Sequence, residues 1–128
     1  RWNNNGMTLP QTTLIAFRAA LAVTLVMTMY LATAQQAPSV IDNLNDKVNH
    51  VLAFYVLAFL ADYSAPKVRF NLSKGLTILG YGLLIEVVQY FLPYREFSLF
   101  DLAADGVGIA AYVFSQPVLG RFYILRRL

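Results

Sequence analysis

Long apolar runs broken by short polar ones set the plan of this chain. Residues 19–41, AALAVTLVMTMYLATAQQAPSVI, hold no charged side chain. A second run, Val48–Ala61, is charge-free over 14 residues. A third, Gly75 to Pro93, is GLTILGYGLLIEVVQYFLP, apolar apart from Glu86 and Gln89 near its far end. A fourth, DLAADGVGIAAYVFSQPVLG, begins at Asp101. A membrane helix needs about 20 such residues. The pattern predicts helices at about residues 12–34, 44–63, 75–92 and 101–119. To cross a hydrocarbon layer about 30 Å thick at 1.5 Å per residue, the second must also take in Asp46, Lys47 and His50. Those residues then lie at or just under an interface.

The punctuation agrees. Pro38 and the stretch DNLND (residues 42–46) are helix-start chemistry, Pro66 stops the second helix, and Pro93 closes the third. Residues 1–11 read as a flexible polar segment, with Met7 resembling a start and Arg1–Gly6 an upstream extension. A cleavable signal peptide is the rival reading of the first run, because Ala32-Thr33-Ala34 has the small-x-small form of a cleavage site. A retained first helix is preferred. Small residues at Gly75, Gly80, Gly82, Ala104, Gly106, Gly108 and Ala110 offer faces for close helix packing.

Composition sharpens this picture. The chain is 58% hydrophobic and 13% charged, against about 45–50% and 25% in ordinary soluble domains. The expected fold is therefore all-α: one domain over 1–128, an integral membrane bundle of four transmembrane helices. The loop after the second helix, with Lys67, Arg69 and Lys74, and the arginine-bearing tail are the basic connections. Positive charge favours the cytoplasmic side, so both termini are expected there. The absence of cysteine excludes disulfides, zinc–thiolate sites and cysteine nucleophiles. A net charge of +3, with bases in short clusters at segment ends, argues against a nucleic-acid partner.

Depth then matters. In this topology His50, Glu86, Asp101 and Asp105 all lie near the outer surface. Asp46 and His50 are four apart and share a helix face, as do Asp101 and Asp105; Glu86 and Gln89 are three apart. Gly82 lies one turn deeper on the face of Glu86. A carboxylate facing lipid is costly, so these groups are expected to face one another in a polar pocket between helices two, three and four. His50, Glu86 and Asp105 are the candidate acid–base residues. Asp46, Lys47, Gln89, Arg95 and Asp101 are candidates for binding substrate, Arg95 by holding a phosphate or carboxylate from above. Each has a plainer reading. Glu86 and His50 can be hydrogen-bonded bundle residues, Asp46, Lys47 and Asp101 helix-start and interface residues, Arg95 a headgroup anchor, and Gln89 a group that orients Glu86. One histidine with Asp46, Glu86 and Asp105 has ligand types suited to Mg²⁺, Mn²⁺ or Zn²⁺, but the spacing is no recognised metal motif. No metal or cofactor is expected. Ser98 is on the right side yet lacks the context of an activated nucleophile.

The run D-K-V-N-H (Asp46–His50), E-V-V-Q (Glu86–Gln89), Arg95, and D-L-A-A-D-G-V-G (Asp101–Gly108) resembles the VanZ-like family of small bacterial membrane proteins. The resemblance covers Asp46 to about Gly108, and the order and spacing of the motifs carry it. At Asp105 many members have Asn. The resemblance implies a multi-pass protein of the bacterial cytoplasmic membrane, in a family whose founding member is associated with lower susceptibility to the glycopeptide teicoplanin. Two functions fit. One is an envelope enzyme acting on a membrane lipid or lipid-linked substrate by acid–base chemistry. The other is a non-catalytic binding module or accessory subunit with protein partners in a larger membrane complex.

Overall fold

The structure is a computed structural model that describes residues 10–34, 40–66 and 70–119, of which 40–46 and 117–119 are described by backbone alone. The segment before Pro10, Lys67, Arg69, the tail RFYILRRL and the side chain of Asp46 lie outside the described residues. Among the described residues there are four helices and no strand. They are α1 (Gln11–Thr33), α2 (Val40–Ser64), α3 (Leu72–Tyr90) and α4 (Leu99–Leu119).

Each boundary has a local cause. Pro10 precedes α1 with extended backbone and accepts the Leu14 amide at 3.0 Å. α2 starts earlier than the expected residue 44, and DNLND falls inside its first turns. Acidic residues are favourable there because the free amides give a helix N-terminus partial positive charge. α3 starts three residues before Gly75, because Asn71 caps it: the side-chain oxygen accepts the Lys74 amide at 2.9 Å. It ends at Tyr90, ahead of Pro93. α4 is capped by Ser98, whose Oγ accepts the Asp101 amide at 3.3 Å.

The helices run up, down, up, down. α2, α3 and α4 share a core of Phe54, Leu57, Ala58, Ile78, Ile85, Ile109 and Tyr112. Two glycines let them close. A Cβ on Gly82 would sit 2.5 Å from Asp105 Oδ2 and 3.1 Å from the Phe54 ring, and one on Gly108 would strike the Val51 carbonyl of α2. α1 has no buried residue and lies against the outside of this trio. Phe17 packs on Phe59 and Tyr63, Arg18 Nε donates to the Ser64 carbonyl at 3.1 Å, and Thr28 and Tyr81 join hydroxyls at 3.0 Å.

Beside its apolar core, this bundle buries acids and exposes large apolar side chains. Asp62, Glu86, Gln89, Asp101 and Asp105 are buried. Leu52 and Val56 on α2, Leu76, Leu83, Leu84 and Val87 on α3, and Val107 and Phe114 on α4 are exposed. Soluble monomers seldom expose apolar surface on every face. α1 alone among the described helices is long and apolar enough throughout to cross a membrane, with mean hydropathy 1.9 over its best window. The acids and amides that α2–α4 turn inward dilute their apolar average.

Candidate functional site

At the end of the bundle where α2 and α4 begin and α3 ends, five of the expected residues meet. His50 Nδ1 lies 2.6 Å from Asp105 Oδ1. Asp105 is wholly buried, beneath the space left by Gly82. The other ring nitrogen, Nε2, lies 3.9 Å from Asp101 Oδ2, too far for a hydrogen bond. Asp101 Oδ1 is held by the Lys47 ammonium, which reaches in from a partly exposed position. Glu86 is wholly buried. Its Oε2 accepts the Ser98 amide at 2.9 Å, and its Oε1 has no hydrogen-bond partner among the described residues.

This is a sensible assembly for a helix N-terminus. Ser98 caps α4 and hands its own amide to Glu86, so a buried carboxylate rests on the positive end of α4. His50, Glu86 and Asp101 can each offer one ligand or proton-carrying atom, all within 4.8 Å of one another. Among the described side chains, three carboxylates share this site with one lysine and one imidazole. A cavity of about 380 Å³ opens beside it, between α1, α2 and α3, lined by Thr28, Leu31, Ala32, Asn49, His50 and Ile85, among others. His50 is thus shared between the polar cluster and a mostly apolar cavity.

Two expected members are placed elsewhere. The last carbonyls of a helix lack partners within it, and those of α1 are met by side chains from α3 and the loop after it. Gln89 Nε2 donates to the Ala32 carbonyl at 2.9 Å, Tyr94 to Thr33 at 2.7 Å, and Arg95 to Leu31 and Ala34 at 3.0 and 3.2 Å. Gln89 therefore faces α1 and does not bond Glu86, and Arg95 closes the end of α1 and does not lie over the carboxylates. Arg95→Ala is expected to lower stability by about 1–2 kcal/mol, the scale of two lost hydrogen bonds from a charged donor to an otherwise unpaired helix end. Thermal unfolding in detergent measures it.

A second buried polar centre, not anticipated from the residues, occupies the opposite end. Asp62 is buried, with Lys74 Nζ at 3.2 Å, the Tyr112 hydroxyl at 2.5 Å and Gln116 Nε2 at 3.2 Å. Lys74 also donates to the carbonyls of Asp62 and Ala65. In sequence Asp62 stands at the rim of an apolar run and Lys74 in a basic loop, both ordinary interface positions. The available signal was spacing. Tyr112 and Gln116 are four apart at the far end of α4, at the depth of Asp62.

Comparison with known proteins agrees with the motifs. The VanZ/LLP1 family model matches residues 2–120. This chain belongs to the VanZ/LLP1 family. An uncharacterized protein of the fission yeast Schizosaccharomyces pombe is 34% identical over 115 residues, covering 87% of this chain and 68% of the relative. A yeast relative means that family membership by itself does not make a chain bacterial. No solved structure matches. Within the family match lie both polar centres and the cavity.

Proposed function

We propose that this VanZ/LLP1 protein is a four-span membrane bundle, with both termini cytoplasmic, that takes the polar head of an amphiphile into the His50–Glu86 site and its apolar portion into the adjoining cavity. The buried acids and exposed leucines support four spans, since a polar surface would gain nothing from lipid and a lipid-facing acid would be costly. Length supports it too: 25 residues of α2 rise about 37 Å and 19 of α3 about 28 Å, enough for a hydrocarbon layer of about 30 Å with modest tilt or thinning.

The observation that carries the functional part is the shared wall. One imidazole belongs both to a cavity of ligand size and to a buried carboxylate cluster. Glu86 and His50 are the acid–base pair of this reading, with Asp105 holding the ring. The substrate is a membrane lipid or a lipid-linked envelope precursor, met from the outer leaflet of a cell membrane. Lys47, on the partly exposed side of the cluster, is the base placed to meet an anionic headgroup.

Purified protein in lipid nanodiscs, incubated with a total membrane lipid extract and examined by mass spectrometry, tests this. A lipid that is enriched and chemically converted is the expected result, and Glu86→Gln should abolish the conversion while leaving helix content unchanged. Conversion that persists in Glu86→Gln and His50→Ala would sink the acid–base assignment. Enrichment without conversion favours the runner-up, a binding module or accessory subunit. The pairing already present in the cluster, Lys47 with Asp101 and His50 with Asp105, speaks for that second reading.

A further inference from the structure

We propose that the cluster at the start of α2 and α4 is a binding site for one transition-metal dication, Zn²⁺ or Mn²⁺, held by His50 Nε2, Glu86 and Asp101 Oδ2. It concerns the cluster and not the choice of substrate: with an ion bound, His50 and Glu86 serve as its ligands, and the acid–base roles above belong to the ion-free cluster.

Three observations carry it. The first is spacing. Each of the three residues offers one donor atom, and these atoms lie within 4.8 Å of one another. Two ligands of a tetrahedral zinc ion stand about 3.3–3.6 Å apart, given bonds of about 2.0–2.2 Å, so closing on an ion needs side-chain movement of about 1–1.5 Å at most. The 3.9 Å from His50 Nε2 to Asp101 Oδ2 is long for a hydrogen bond and suited to two ligands of one ion. The second is the unsatisfied carboxylate. Glu86 is 0% exposed, and its Oε1 has no hydrogen-bond partner among the described residues. A buried acceptor left unpaired ordinarily costs about 1–3 kcal/mol, more when charged, and an ion would satisfy it.

The third is orientation. Metal-bound histidines characteristically hand the other ring N–H to a carboxylate, which fixes the tautomer and directs the free lone pair. His50 has that arrangement, with Nδ1 2.6 Å from Asp105 Oδ1 and Nε2 turned to Asp101. Asp105 is thus a positioning residue. Lys47 does not compete for the ion, because it holds the other oxygen of Asp101, Oδ1. Charge agrees: Lys47 is one positive charge against Glu86, Asp101 and Asp105, so the described cluster has room for a dication. The imidazole favours Zn²⁺ over the oxygen-preferring Mg²⁺ and Ca²⁺, and the two carboxylates suit Mn²⁺.

Because the chain has a single histidine and no cysteine, spectroscopy identifies the site without mutation. Tag-free, chelator-treated protein in detergent is titrated with ZnCl₂ and with MnCl₂ by calorimetry, and the zinc-loaded form is measured by X-ray absorption. One ion per chain, with one imidazole and otherwise oxygen ligands at zinc, is expected. Glu86→Gln and Asp101→Asn should each weaken zinc binding at least 100-fold. Asp105→Asn should weaken it roughly 10- to 100-fold, as loss of an outer-shell partner does. Glu96→Gln, at an exposed acid in the α3–α4 loop, should leave it unchanged. Zinc bound without imidazole scattering, binding indifferent to Glu86→Gln in a variant of normal helix content, or binding of Mg²⁺ and Ca²⁺ alone would each overturn the proposal. Lipid conversion in the nanodisc experiment needs none of these outcomes, so the two readings fail separately.

Discussion

Replacing Asp62 by alanine is expected to destabilise the bundle by about 3–5 kcal/mol, the cost of stranding one half of a buried ion pair. The reason lies in what surrounds it. Asp62 is 1% exposed, and its carboxylate receives Lys74, Tyr112 and Gln116. Remove it, and three donors from two other helices lose a shared acceptor inside an apolar core. Lys74 still donates to the carbonyls at Asp62 and Ala65, which do not balance an ammonium charge. Reversible unfolding in mixed micelles, titrated with a denaturing detergent, gives the value. The paired change Asp62→Leu with Lys74→Met should recover most of the loss, since burying two well-packed apolar side chains often equals or exceeds a buried ion pair. A double variant no better than the single would mean that the polar centre works through its geometry and not through charge balance.

Gly108→Val is the second large effect, about 3 kcal/mol or more, at the upper end of overpacking costs. A Cβ at this position meets the Val51 carbonyl of α2, with the Phe54 Cβ and the Tyr55 amide nitrogen each 3.1 Å away. Backbone cannot swing aside as a side-chain tip can, so α2 and α4 must separate. That separation would also pull His50 from Asp105, one turn away on each helix. Gly106, two residues earlier, has nothing within 4 Å of its would-be Cβ. Gly106→Ala should therefore stabilise by roughly 0.5–1 kcal/mol, because glycine in a helix loses more backbone freedom on folding. The contrast between two neighbouring glycines, read in the same unfolding assay, separates close packing from helix propensity. Similar losses at both would mean that α2 and α4 do not approach as closely as Gly108 implies.

The two glycines illustrate how much could be read beforehand. Small residues along α3 and α4 marked both helices as closely packed, and Gly82 was placed on the face of Glu86. The structure puts it under Asp105 and Phe54. Nothing local distinguishes Gly106 from Gly108; the difference is which side of α4 meets α2. Glu86, His50, Asp101 and Asp105 could be grouped from depth and helical spacing, because a carboxylate in an apolar segment must turn inward. Gln89 and Arg95 obey the same rule, yet their partners are the α1 carbonyls. A bundle has several inward directions, and spacing on one helix does not say which neighbour fills each.

What the residues alone determined is the number of helices, their approximate limits and the demand that every buried acid find a partner, since these follow from apolar run length, proline and asparagine at the ends, and the cost of desolvating charge. Which partner each acid received was decided only by the tertiary structure. Pairings such as His50 with Asp105 and Asp62 with Lys74 depend on the rotation and approach of whole helices. Those are settled by the summed packing of many side chains, and by where a missing Cβ lets two backbones touch, which no single stretch of sequence contains.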